Sequence, residues 1–374
     1  MPDFLDRFGQ RDQDGNPYFS NVRSGLIVGL LSIGTLVGAL VAAPIADGIG
    51  RRISISVWSV IVSVGFVIQI AAVNAWYQVM IGRLVAGFGV GALSLLVPMY
   101  QGIYISREIV YLSLTTTAET VPPWIRGALV CTYQLFITLG IFLAACFNYG
   151  TYTHQRYNSG SWRIVVGLGW AWTLILGIGI LFFPETPRYA YRLGRTQEAK
   201  ETLCRVYGTS ENHYSIRVQL DEIESKLRSE SSAVGGIFGI LKAPRMPYRI
   251  ALGMTLQAFQ QLTGANYFFY YGTTIFKSVQ IESFVTQVIL NVINFGVTFI
   301  GLYLVEHYGR RKSLIAGSAW MFICFLVFAS VGHFSLNIDQ PQLTPGPGIA
   351  LIVFACLFIL GYATTWGPVS ILMD

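Results

Sequence analysis

A chain of 374 residues that is 53% hydrophobic and only 12% charged, with a mean hydropathy of +0.54, has too few polar side chains to cover a soluble core. Its formal charge of +6 collects between apolar runs, as the positive-inside rule expects, so it speaks for orientation in a membrane and against a nucleic-acid partner. The five cysteines are scattered and mostly inside apolar runs, with neither a metal-ligand spacing nor a disulfide framework.

Residues 1–23 mix acidic, basic and aromatic side chains and read as a solvated extracellular loop, without the short apolar region and cleavage site of a secretory signal. The first span, 24–46, offers small faces at Gly25, Gly29, Gly34 and Gly38 for close helix contact. It closes at Asp47-Gly-Ile-Gly-Arg-Arg52, whose charge assigns that end to the cytoplasm. The second span, about 54–73, returns through Asn74-Ala-Trp-Tyr77. The third, about 78–98, holds Arg83, which at that depth costs roughly 1–3 kcal/mol unless it snorkels or is paired. Gly82, Gly87, Gly89 and Gly91 around it favour burial against a partner helix. A cytoplasmic segment leads to the fourth span, 127–147, with the lone amide Gln134; an outer loop and a fifth span, about 164–183, follow.

Pro184-Glu-Thr-Pro-Arg188 opens a charged linker, 184–248, helix-prone over 195–206 and 217–229 and cytoplasmic by charge. The sixth span, 249–276, is apolar yet carries Gln257, Gln260, Gln261 and Asn266. A side-chain amide without a partner in hydrocarbon costs several kcal/mol, so these four face other helices or a cavity. The three glutamines share one helical face, and Gly264 permits close approach or a break before Asn266. Amides beside Tyr270 and Tyr271 suit a neutral polyhydroxylated ligand, although amides that merely bond neighbouring helices fit the same pattern. The seventh span, 284–305, carries Asn291 and Asn294; the eighth is about 313–333, and the ninth runs from about 349.

Asp47-x-x-Gly-Arg-Arg52 recurs as Glu306-x-x-Gly-Arg-Arg311, each closing a span before a very short turn. Such duplication either side of a linker fits a transporter of two similar halves, with a tight turn at glycine and arginines free to bridge carboxylates. Ion pairs of this kind can favour one state of rocking halves by about 1–3 kcal/mol in total. Added to Gly82-Arg83-x-x-x-Gly87, Val97-Pro-Met-Tyr100, Glu119, Arg126-Gly127, Trp162-Arg163, Pro184-Glu-Thr-Pro-Arg188 and Gln260-Gln261-x-x-Gly264-x-Asn266 with Tyr270-Tyr271, the set resembles the sugar porter branch of the major facilitator superfamily, particularly fungal hexose transporters.

That resemblance implies an all-α polytopic membrane protein of twelve helices, of which about nine are present and the first and last two missing. It divides the chain into an N-terminal half at 24–183, with an insertion at 102–117 that we expect to be a retained intron read in frame, a genuine loop insertion being the alternative, and a C-terminal half at 249–374. It implies sugar contacts at Gln134, Gln260, Gln261, Asn266 and Asn294, with Tyr270 and Tyr271 near an outer gate. It matches Arg83 to the arginine that faces a carboxylate in proton-coupled members, and Asp47, Arg51, Arg52, Glu119, Arg126, Glu185, Arg188, Glu306, Arg310 and Arg311 to a cytoplasmic charge network. The expected function is alternating-access transport of a glucose-like hexose, as uniport or proton symport, by a multi-pass protein of the plasma membrane. A glucose sensor and a non-functional fragment are the alternatives. No enzyme chemistry, cofactor or metal is expected, and the partners are the sugar, the bilayer and possible co-transported protons.

Overall fold

A computed structural model of the chain describes residues 1–104, 123–232, 246–269, 283–335 and 345–367, and among these it is almost wholly helical. Eight helices of the described residues are long and apolar enough to cross a bilayer. The chain divides into two compact units, 1–121 with 151–233, and 122–150 with 234–374.

In the first unit α2 (Asn21–Ile49), α3 (Arg51–Ile70) and α4 (Trp76–Tyr104) pack on one another, and α6 (Gly160–Gly179) lies against α3. The interface of α2 with α4 is a zipper of small residues: a Cβ at Gly34 or Gly38 would strike the backbone of Leu84 or Phe88, and one at Gly87 or Gly91 that of Leu31 or Thr35. Backbones that approach this closely gain dispersion contacts that lipid tails cannot match. Among the described residues Gly25 and Gly29 meet nothing and take no part in the zipper. Ala42, Ala46, Ile55, Trp58, Ala92 and Leu96 fill the core beneath it, with Trp58 edge-on to Phe88 at 5.0 Å. Helix α4 runs through Pro98 to Tyr104, beyond the expected end of the third span.

Residues 1–23 are not simply a solvated loop. They form α1 (Pro2–Phe8) and a hairpin of β1 (Gln10–Arg11) with β2 (Pro17–Tyr18), Gln10 opposite Tyr18. Phe4 and Phe8 meet the ring of Trp162 at 5.7 and 5.6 Å, and the Trp162 indole donates to Asp3 at 3.1 Å. The aromatic side chains overrode the local polarity, because burying them outweighs the entropy of ordering a short segment.

The linker carries three helices, α7 (Pro187–Arg192), α8 (Thr196–Tyr207) and α9 (Tyr214–Ser232), the last two over its helix-prone stretches and the first unforeseen. Tyr191 donates to Glu224 at 3.0 Å, joining the first to the third.

The second unit contains most of α5 (Pro123–His154), which the sequence grouped with the N-terminal half, together with α10 (Met246–Leu262), α11 (Ser283–Tyr308), α12 (Arg310–Phe334) and α13 (Pro345–Thr364). Helix α13 packs on both α11 and α12. Phe268 is wholly buried at the centre, 5.1 Å from Phe328 and 5.0 Å from Phe358. The Phe142 ring of α5 stacks on Phe295 of α11 at 5.8 Å.

Candidate functional site

The sixth apolar run does not form one continuous helix. Helix α10 ends at Leu262, Thr263 turns its hydroxyl onto the Gln260 carbonyl at 2.7 Å, and Gly264 adopts φ +81 before a short helical segment at 265–269. Among the described residues a Cβ at Gly264 would meet only Phe325, at 3.8 Å, so there the glycine answers to its dihedral rather than to space. Backbone groups freed by such a break are tolerated at membrane depth only where protein or a water-lined cavity satisfies them.

The amides stand around this break. Gln260 is half-buried, donates to the Trp366 carbonyl at 3.3 Å and hydrogen-bonds the Tyr362 phenol. The Trp366 indole in turn donates to the Ser318 hydroxyl at 2.9 Å. Gln134 reaches the adjoining residue: its Nε2 lies 3.4 Å from where a Cβ on Gly367 would stand. Two glutamines distant in sequence thus converge on Trp366-Gly367 within the second unit. Gln261 and Asn266 face the exposed side and pair with each other, the Asn266 amide donating to Gln261 Oε1 at 2.7 Å across the break. Asn294 is buried on α11, where Thr298 donates to its backbone carbonyl at 2.7 Å; among the described residues no bond joins it to the other four amides. Tyr270 and Tyr271 lie outside the described residues.

Sequence reasoning left Tyr362, Trp366 and Ser318 out of the site. Their signal was weak: aromatic and hydroxyl side chains are common in apolar helices, and only the fold brings them to Gln260. Gln287 was also missed; it donates to the Phe269 carbonyl at 3.2 Å and so holds the segment after the break against α11.

The charged motifs of the first unit form a second cluster. Gly50 ends α2 with φ +99 and ψ 158, a region in practice reserved for glycine, and α3 begins at the next residue. The Glu185 carboxylate accepts the backbone amides of Arg51 at 3.2 Å and of Arg52 at 3.2 Å, and so caps the positive end of α3. Arg51 pairs with Asp47 at 2.5 Å and lies over the Tyr189 ring at 5.8 Å, while the Tyr189 hydroxyl donates to the Gly48 carbonyl at 2.9 Å. Arg52 donates to the Leu181 carbonyl. Arg188 is exposed. Gly309, in the second copy of the motif, repeats the turn with φ +77 and ψ 155, and the exposed Arg311 follows in α12. Arg126, Glu306 and Arg310 lie on described helices, but only their backbone is described, and Glu119 lies outside the described residues, as does 105–117 of the expected insertion. Arg83, on α4, sends its guanidinium 3.5 Å from the Ile27 carbonyl of α2.

Comparison with known proteins adds context to this geometry. A family model described as "Sugar (and other) transporter" matches residues 1–373. A low-affinity glucose transporter of Kluyveromyces lactis is 42% identical over 98% of this chain and 63% of its own length, and the low-affinity glucose transporter HXT4 of Saccharomyces cerevisiae is 40% identical over 100% and 62%. The chain therefore spans a little over three-fifths of these relatives. In fold it is similar to the xylose transporter XylE of E. coli in a partially occluded inward-open conformation, with a TM-score of 0.75 at 23% identity over 99% of this chain and 80% of that one.

Proposed function

This chain belongs to the sugar transporter family, and on that premise we propose that it carries a glucose-like hexose across a membrane. The observation that carries the reading is the interrupted α10, whose Gln260 engages Trp366 and Tyr362 while Gln134 approaches Gly367. Each carboxamide offers a donor and an acceptor, the two groups a sugar hydroxyl answers. Gln261, Asn266 and Asn294, with Tyr270 and Tyr271, complete the proposed substrate site.

Transport proceeds by alternating access of the halves 24–183 and 249–374 about the linker 184–248. In the first half, the Asp47–Arg51 pair and the Glu185 cap hold the α2–α3 turn against the start of the linker. Arg52, Glu119, Arg126 and Arg188, and Glu306, Arg310 and Arg311 in the second half, belong to the same proposed cytoplasmic network. The partners are the hexose and the bilayer of the plasma membrane, no covalent chemistry takes place, and sugar moves alone or with a proton. The names of the yeast relatives, both glucose transporters, support the substrate class.

The test is uptake of radiolabelled glucose in yeast cells lacking their own hexose carriers. Saturable uptake above the empty-vector level is expected, and alkalinisation of unbuffered medium during uptake separates symport from uniport. Surface expression without any uptake overturns the reading; sugar-dependent signalling without flux would favour the sensor.

A further inference from the structure

Helix α11 carries more buried polarity than the proposed site uses. Thr286 Oγ1, Gln287 Oε1 and Asn291 Oδ1 are shielded from solvent and have no hydrogen-bond partner among the described residues. Asn291 is 2% exposed and Thr286 1%. A hydroxyl can rotate to find an acceptor, but a carboxamide oxygen can only wait for a donor, and leaving it unmet in an apolar interior is costly. The Gln287 amide nitrogen is already committed to the Phe269 carbonyl at 3.2 Å, which fixes where its oxygen lies.

The direction of Asn291 follows from helical phase. Gly301 marks the face of α11 against α13, since a Cβ there would stand 2.7 Å from the Ala363 carbonyl; Phe295, stacked on Phe142, marks the face against α5. At about 100° per residue, Asn291 falls between these two faces, with Asn294 and Gln287 on the side nearer α13. The three carboxamides therefore form one stripe at intervals of four and three residues, lying between the faces of α11 that meet α13 and α5, and α5 also carries Gln134, whose Nε2 approaches Gly367.

We propose that the hexose site extends along α11 from Asn294 to Asn291, whose carboxamide hydrogen-bonds a hydroxyl of the bound sugar. Either end of that amide suits a hydroxyl, which both donates and accepts. The ligand is a neutral polyol, since the stripe presents no charge. The inference rests on the hexose reading above.

It is tested by the KM for uptake of glucose and of its monodeoxy analogues in carrier-deficient yeast expressing the full chain, Asn291→Leu or Asn291→Ser, each normalised to surface abundance. Asn291→Leu is expected to raise the glucose KM about five- to tenfold. It should leave unchanged the KM of the one analogue that lacks the contacted hydroxyl, and Asn291→Ser should fall between. A KM unmoved by either variant, or raised equally for every analogue, overturns the proposal and makes Asn291 a structural or water-bonded residue. If Asn291→Leu does not reach the surface, Asn291→Ser carries the same comparison. A wild-type chain that neither takes up nor binds any hexose overturns the hexose reading and this inference together, whereas uptake with unchanged Asn291 variants overturns this inference alone.

Discussion

At the scale of single residues, an amide in an apolar helix is informative because its cost has to be met somewhere. Gln261 meets half of its own through Asn266, on the exposed side of the break. In the site proposed above, Gln261→Ala would remove one hydrogen bond to a sugar hydroxyl, worth about 1–1.5 kcal/mol, so the glucose KM should rise about tenfold at normal surface abundance. An unchanged KM in uptake assays would remove Gln261 from the site. Away from the apolar helices, burial and the hydrogen bond to Glu224 push the Tyr191 phenol above its ordinary pKa. The folded linker then holds that proton more tightly than the unfolded chain does. Its contribution is full below the ordinary phenol value of about 10 and is lost as pH rises through the higher folded value. Limited proteolysis of the linker should accelerate above that pH in the wild type, and less so in Tyr191→Phe, which has no proton to lose.

At the scale of elements, the two copies of the Gly-Arg-Arg turn offer an internal comparison. Gly50 and Gly309 share a backbone conformation that other residues occupy at a cost of about 1–3 kcal/mol. Their surroundings differ, however. A Cβ at Gly50 would also stand 2.6 Å from Glu185 Oε2 and disturb the cap of α3, whereas one at Gly309 meets nothing among the described residues. Gly50→Ala should therefore lower the melting temperature in detergent more than Gly309→Ala, by about 2–4 °C for each additional kcal/mol lost. Equal losses would mean that the Glu185 cap contributes little. This capping role was not legible in the motif: the sequence suggested arginine side chains reaching for carboxylates, but Glu185 takes backbone N–H groups, whose position depends on where α3 starts. The break in α10 was half legible: a glycine between three glutamines and Asn266 allowed either close approach or a break, and the positive φ of Gly264 decided for the break.

At the scale of the whole molecule, the charge distribution predicts which ends of the helices face which side. With single cysteines in a cysteine-free background, Gln13→Cys should react with a membrane-impermeant maleimide in intact cells, and Lys200→Cys only after permeabilisation; the reverse pattern would invert the orientation. The apolar runs, the duplicated Gly-Arg-Arg turns, the helical linker and the stranded amides were all determined by the sequence alone, because each is a local matter of hydropathy, backbone dihedral or an unmet hydrogen bond. Only the tertiary structure decided that 1–23 folds onto Trp162, that Gln134 and Gln260 converge on Trp366-Gly367, and that Asn291 is sealed from solvent with its carboxamide oxygen unmet among the described residues. Those outcomes depend on which helix face meets which neighbour, and in a chain where nearly every face is apolar, hydrophobic pattern cannot rank the choices; close packing at small residues and the satisfaction of a few polar atoms do.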